Sequence, residues 1–81
     1  MDKISPADVD RALNRLIIEG TEGEIGQEWK ARLAKVRRIW EKFREEDEFQ
    51  IYEDIIEDKI NMAERQLEVF ELFTMAEKWE Q

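Results

Sequence analysis

All three glycines fall within Gly20-Thr21-Glu22-Gly23-Glu24-Ile25-Gly26, and the single proline is Pro6. Glycine and proline are the strongest local interrupters of regular backbone. The chain therefore has one clear joint, with a short segment before it and a long one after it. Apolar residues recur at helical spacing on both sides. The expected fold class is all-α: three helices, a short N-terminal helix followed by a long antiparallel helical hairpin, assembled as an oligomeric helical bundle.

The first helix is expected over residues 6–19. Ser5 suits the cap, Pro6 the first helical position, and Asp8 the positive end of the helix dipole. Ile4 and Val9 stand at the two positions of a hydrophobic staple. Val9, Leu13, Leu16 and Ile17 supply the buried stripe, and Gly20 is a natural terminator. The glycine-rich joint is not followed by Gly-Lys-Ser/Thr and so lacks the signature of a phosphate loop.

Thr21-x-x-Glu24 fits a capping box for a second helix over 22–45. Ile25, Trp29, Leu33, Val36, Trp40 and Phe43 step by fours and threes along one face, with a near-heptad period. Glu46 and Asp47 then occupy the place of the next apolar residue, which predicts a turn at 45–48. Asp47-x-x-Gln50 fits the cap of a third helix over 48–79. That segment carries one stripe of Phe49, Tyr52, Ile56, Ile60, Ala63, Leu67 and Phe70, and beside it a second of Ile51, Ile55, Met62, Val69, Phe73 and Ala76. Together they span about half the helix circumference, wider than the ~100° of an ordinary surface helix.

Charge is unevenly placed. The net charge of −8 lies almost wholly in the second half. Residues 45–81 hold thirteen Asp and Glu against three Lys and Arg. Residues 30–44 carry seven bases against Glu41 alone. Folding the third helix back about the turn brings Lys42 near Gln50, Arg38 near Asp54 and Lys35 near Glu57. Opposite charges along such a seam set register, at ~0.2–1 kcal/mol per exposed pair.

The first helix is too short to cover this hairpin. Parts of Trp40, Phe43, Phe49, Tyr52 and Ile55 are expected to stay open at the turn end, and Leu72, Phe73, Met75 and Trp79 to overhang at the other. Soluble monomers rarely leave so much apolar area wet, and a chain of 81 residues gains from association. A homodimer or higher homo-oligomer is expected, with Tyr52, Ile55, Met62, Val69, Leu72, Phe73 and Trp79 at the oligomer interface.

Several chemistries are excluded or disfavoured. The chain has no cysteine and no histidine. Thiolate metal sites, disulfides and the commonest general base are therefore absent. No apolar run approaches the ~20 residues of a membrane helix, and no basic start followed by an apolar run opens the chain. A cytoplasmic protein without catalytic residues, metal or cofactor is expected.

Three readings of the charged residues follow. Glu53-Asp54-x-x-Glu57-Asp58 resembles the paired-carboxylate helix of the all-α nucleotide pyrophosphohydrolases, and the resemblance implies a magnesium-dependent enzyme. All four residues lie on one helix, however, whereas such a site draws ligands from facing helices. Lys35, Arg38 and Lys42 share the outer face of the second helix and could touch phosphates, although a −8 chain is repelled by a polyanion. Glu53, Glu57, Glu64, Glu68 and Glu71 share one face over roughly 27 Å. Like charges at i, i+4 cost ~0.2–0.5 kcal/mol each, and no base interleaves on that face. A partner-binding acidic face meeting a basic partner protein, such as a surface built for nucleic acid, accounts for that cost.

The function these features favour is a small acidic, non-enzymatic protein–protein interaction module that regulates, inhibits or scaffolds a partner protein. In size and charge the chain is similar to small acidic helical proteins of phages and mobile elements, among them inhibitors of host nucleic-acid machinery. Direct nucleic-acid binding through Lys35, Arg38 and Lys42 and magnesium-dependent nucleotide hydrolysis are the alternatives.

Overall fold

The computed structural model describes residues 4–79, and these form four helices and no strand: α1 (Pro6–Thr21), α2 (Gln27–Phe43), α3 (Asp47–Gln50) and α4 (Glu53–Trp79). The all-α class expected from the periodicity is found, with four helices where three were expected.

The start of α1 is as its sequence requires. The Ser5 side chain accepts from the backbone N–H of Asp8, and the Asp8 carboxylate accepts from the Ser5 N–H at 3.0 Å, a reciprocal capping box with Pro6 in the first turn. Its end differs from expectation. Gly20 is still helical, and Gly23 is the residue with positive φ, at 79°. The Glu24 N–H donates to the Glu19 carbonyl at 2.9 Å and the Gly23 N–H to the Gly20 carbonyl at 3.1 Å, the two bonds of a Schellman cap. Thr21 therefore caps nothing; its hydroxyl donates back to the Ile17 carbonyl within α1. The second helix starts at Gln27, behind Gly26, because the Schellman reversal consumes residues 22–25.

The turn end departs further. The single helix expected over 48–79 is broken between Gln50 and Glu53. The cause is Phe49, fully buried on the one-turn helix α3, with its ring stacked on Phe43 at 5.6 Å and tilted against Trp40 at 6.3 Å. Placing that ring under α2 requires the chain to cross the end of the bundle before α4 departs. Phe49 and Trp40 are consequently buried rather than open, and Ile51 and Tyr52 are turned outward.

Ion pairs and hydrogen bonds fix helix directions. Lys59 contacts Asp10 and Gln66 contacts Ile17, so α1 and α4 run parallel. Arg37 pairs with Glu64 and Arg44 with Glu57, so α2 runs antiparallel to α4 and therefore to α1. Near the joint the Trp29 indole N–H donates to the Leu16 carbonyl at 2.8 Å and Arg32 pairs with Glu19. The most extensive backbone contact is between α1 and α4, then between α1 and α2. The leading helix is thus a full member of an up-down-up bundle and not an accessory at one end of a hairpin. Val9, Leu13, Leu16, Trp29, Leu33, Trp40, Phe49, Ile56, Ile60 and Ala63 form its core. Of the first stripe of the last helix, Phe49, Ile56, Ile60 and Ala63 are buried, Leu67 and Phe70 are half-buried against the core, and Tyr52 is exposed.

The register between α2 and α4 is also corrected. Arg37 pairs with Glu64 at 3.1 Å and Arg44 with Glu57 at 3.0 Å. The pairs expected from a tight turn, Arg38 with Asp54 and Lys35 with Glu57, do not form. The extra residues spent on α3 slide α4 along α2 by more than two helical turns.

Candidate interaction surfaces

Beyond its core-facing stripe, α4 carries the second row on an adjoining flank. Ile55, Met62 and Val69 repeat every seven residues, with Phe73 one turn beyond Val69. All are exposed, as are Ile51 and Tyr52. Every residue expected at an oligomer interface (Tyr52, Ile55, Met62, Val69, Leu72, Phe73 and Trp79) is solvent-accessible in the single chain.

Among the described residues, the C-terminal part of α4 projects past the end of α1. The end of α1 at Thr21 lies beside Gln66, and every residue from 71 to 79 is exposed. Leu72, Phe73 and Trp79 are 64%, 68% and 79% accessible. At 100° per residue, Leu72, Phe73, Met75, Ala76 and Trp79 occupy less than half of this segment's circumference, and Glu71, Thr74, Glu77 and Lys78 the rest. The segment is amphipathic, with nothing among the described residues against its apolar side. Immediately below it lies an apolar groove of 470 Å³ between the end of α1 and α4, lined by Gly20, Ile25, Met62, Val69, Phe70 and Phe73 among others.

The acidic row is divided by its surroundings. Glu53 and Glu57 both approach Arg44, at 4.0 and 3.0 Å, and Glu64 meets Arg37. The guanidinium of Arg44 also lies 5.9 Å from the Trp40 ring centroid. Bases absent from this face of α4 are thus supplied by α2 and its C-cap residue Arg44. Glu68 and Glu71 are exposed and form no ion pair among the described residues. Asp54 and Asp58, the other half of the paired-carboxylate motif, are exposed. No group of three acidic side chains among the described residues is placed to hold a metal ion.

Apart from Lys30, the bases of residues 30–44 separate into two sets. Arg32, Arg37 and Arg44 pair with carboxylates. Lys35, Arg38 and Lys42 are exposed on the outer face with no ion pair among the described residues, and the Lys42 ammonium lies 5.5 Å from the Phe43 ring.

Ile18, 60% exposed, is an apolar surface residue that the periodicity left unassigned. Its signal was present: three consecutive apolar residues, Leu16-Ile17-Ile18, span 200° of a helix and cannot all face one core. Gln66 is the other omission. The helical spacing assigns it no role, yet its amide donates to the Ile17 carbonyl at 3.0 Å and to the Thr21 hydroxyl at 3.1 Å.

No helix among the described residues is long and apolar enough to cross a membrane. Compared with family models, curated proteins and solved structures, the chain matches none, so its surfaces alone carry the functional reading.

Proposed function

We propose that the chain is a small non-enzymatic protein–protein interaction module that self-associates as a homodimer and regulates or scaffolds a partner protein. The observation that carries this reading is the outward flank of α4: Ile55, Met62, Val69, Leu72, Phe73 and Trp79, all exposed, on a helix whose adjoining stripe already fills the core. Soluble chains seldom keep so extended an apolar surface wet. Glu68 and Glu71, free of ion pairs among the described residues, lie at the edge of this flank and favour a basic partner.

Light scattering with mass determination tests the self-association. The expected mass is twice the 9.8 kDa of one chain, falling to one chain for Phe73→Glu. Pull-down from the native host with wild type and with Glu68→Gln/Glu71→Gln tests the partner. A partner retained equally by both would remove the acidic edge from the reading.

A second surface is favoured by one observation. Lys35, Arg38 and Lys42 have no ion pair among the described residues, while the three arginines around them are engaged. Binding of a polyanion through this face would weaken steeply with salt. Lys35→Gln/Arg38→Gln/Lys42→Gln would abolish it, and binding unaffected by the triple change would rule the surface out.

A further inference from the structure

We infer that the dimer is an antiparallel, two-fold pairing of α4 with its copy, in which residues 72–79 of each chain lie in the partner's α1–α4 groove. This rests on the self-association proposed above and specifies its geometry.

Surface area sets the scale. A compact monomer of 9.8 kDa exposes about 5,200 Å². This chain exposes 6341 Å². The excess, about 1,100 Å², exceeds the ~800 Å² per partner of a standard stable interface. Residues 71–79, every one of them exposed, contribute to it on a single element.

A second copy suits this surface because the projecting segment and the groove share one flank of α4. Met62, Val69 and Phe73 line the groove, and the apolar arc of residues 72–79 continues the same flank. A two-fold contact requires one patch to be complementary to itself, so that residue i meets j and j meets i. Here one half of the patch is concave and the other a protruding ridge. Reversing a second copy sets each ridge against the other's concavity.

Direction follows from the shape of the chain. The three-helix body ends where α1 ends, beside Gln66. With the two-fold near Val69, Met62 of one chain is level with Ala76 of the other, and the two bodies lie end to end. Each projecting segment then runs beside the partner's body over about 12 Å, and the two α4 helices face each other over about 30 Å. A parallel pair would place ridge against ridge and leave both grooves empty. The pairing also supplies the tertiary contacts that a nine-residue projecting helix lacks, since helices of fewer than ~12 residues are marginal alone in water.

The absence of cysteine makes the test clean. Met62→Cys and Ala76→Cys single variants are prepared, and oxidation is followed by non-reducing electrophoresis. Mixed together, the two should cross-link to each other, and each alone should stay largely uncross-linked, since 62 and 62 lie about 20 Å apart along the pair. Efficient Met62–Met62 linkage in a species of dimeric mass would overturn the antiparallel geometry while leaving self-association intact. A dimer that survives Phe73→Glu would move the interface off this flank. A mass of one chain at high concentration, with circular dichroism showing the helices formed, would overturn both.

Discussion

The side-chain amide of Gln66 donates to the backbone carbonyl of Ile17 at 3.0 Å, tying α4 to the last turn of α1. The bond exists because residue 20 has no side chain. A Cβ on Gly20 would collide with the carboxamide of Gln66, its Cδ at 2.8 Å. The position is helical, so alanine there would otherwise gain about 0.5–1 kcal/mol. Gly20→Ala is expected to be neutral to destabilising, because displacing Gln66 sacrifices two hydrogen bonds of ~0.5–1.5 kcal/mol each. In a Gln66→Ala background the same change should stabilise. A double-mutant cycle by urea denaturation measures the coupling. Additive effects would show that the contact does not constrain residue 20.

Gly23 behaves differently. Its φ of 79° lies in the left-handed region, and a Cβ there would meet nothing within 4 Å. Gly23→Ala should cost about 1–2 kcal/mol through the backbone alone, with the same value in wild type and in Gln66→Ala. Dependence on Gln66 would place the strain elsewhere.

Phe49 is expected to be the most costly truncation at the turn end. It is fully buried between Phe43 and Trp40. Phe49→Ala should cost ~3–5 kcal/mol, a large share of the total for a domain at about 0.05–0.15 kcal/mol per residue. Two positions away, Ile51→Ala should stay within ~0.5 kcal/mol, because Ile51 lies on the surface. Denaturation followed by tryptophan fluorescence compares the two, and equal costs would refute the break between α3 and α4.

This break is also where sequence and structure part. The helical class, the Ser5 cap, the α2 stripe and the row from Ile56 to Phe70 were legible because each is local, written in spacing or in one capping residue. Phe49 was legible as apolar, but whether it continued a helix or folded under Trp40 depends on a contact with α2 that no spacing encodes. The register inherited that ambiguity, and with it the partners of Arg37 and Arg44. The exposed flank survived because a stripe too wide for one core must show somewhere, whatever the register. Gly20 and Gly23 illustrate the same limit: Gly20 is the expected terminator, yet it stays helical beside Gln66 and the left-handed residue is Gly23.

Acid should weaken the fold through two carboxylates. Hydrogen bonds from the Ser5 backbone and hydroxyl hold Asp8 below its ordinary value, and the Arg32 guanidinium does the same for Glu19. A carboxylate with a lowered folded pKa contributes stability above its unfolded value, and that contribution is lost as pH falls through the folded one. Melting temperature should therefore fall from about pH 5 downward, less steeply in Asp8→Asn and Glu19→Gln. Glu24 has the opposite sign. A hydrogen bond with Glu22 and the repulsion of its charge push Glu24 upward. Its contribution is present below the unfolded pKa and lost as pH rises through the folded one. Glu24→Gln should thus stabilise at pH 7 relative to wild type, and the gain should shrink toward pH 4. A gain that instead grows in acid would contradict the Glu22–Glu24 contact.

The acidic row should divide in its response to neutralisation. Glu57→Gln and Glu64→Gln remove partners of Arg44 and Arg37. Each pair is partly exposed, so a loss of ~0.2–1 kcal/mol is expected, and less at high salt. Glu68→Gln and Glu71→Gln break no ion pair among the described residues and relieve repulsion between neighbours one turn apart, so they should preserve or slightly raise stability. Chemical denaturation at low and high salt distinguishes the two sets. The contrast matters for function: a residue retained for stability loses stability when neutralised, whereas one retained for a partner loses only the partner. Glu68 and Glu71 are expected to show the second pattern. A substantial loss of stability at either would return the whole row to a structural role.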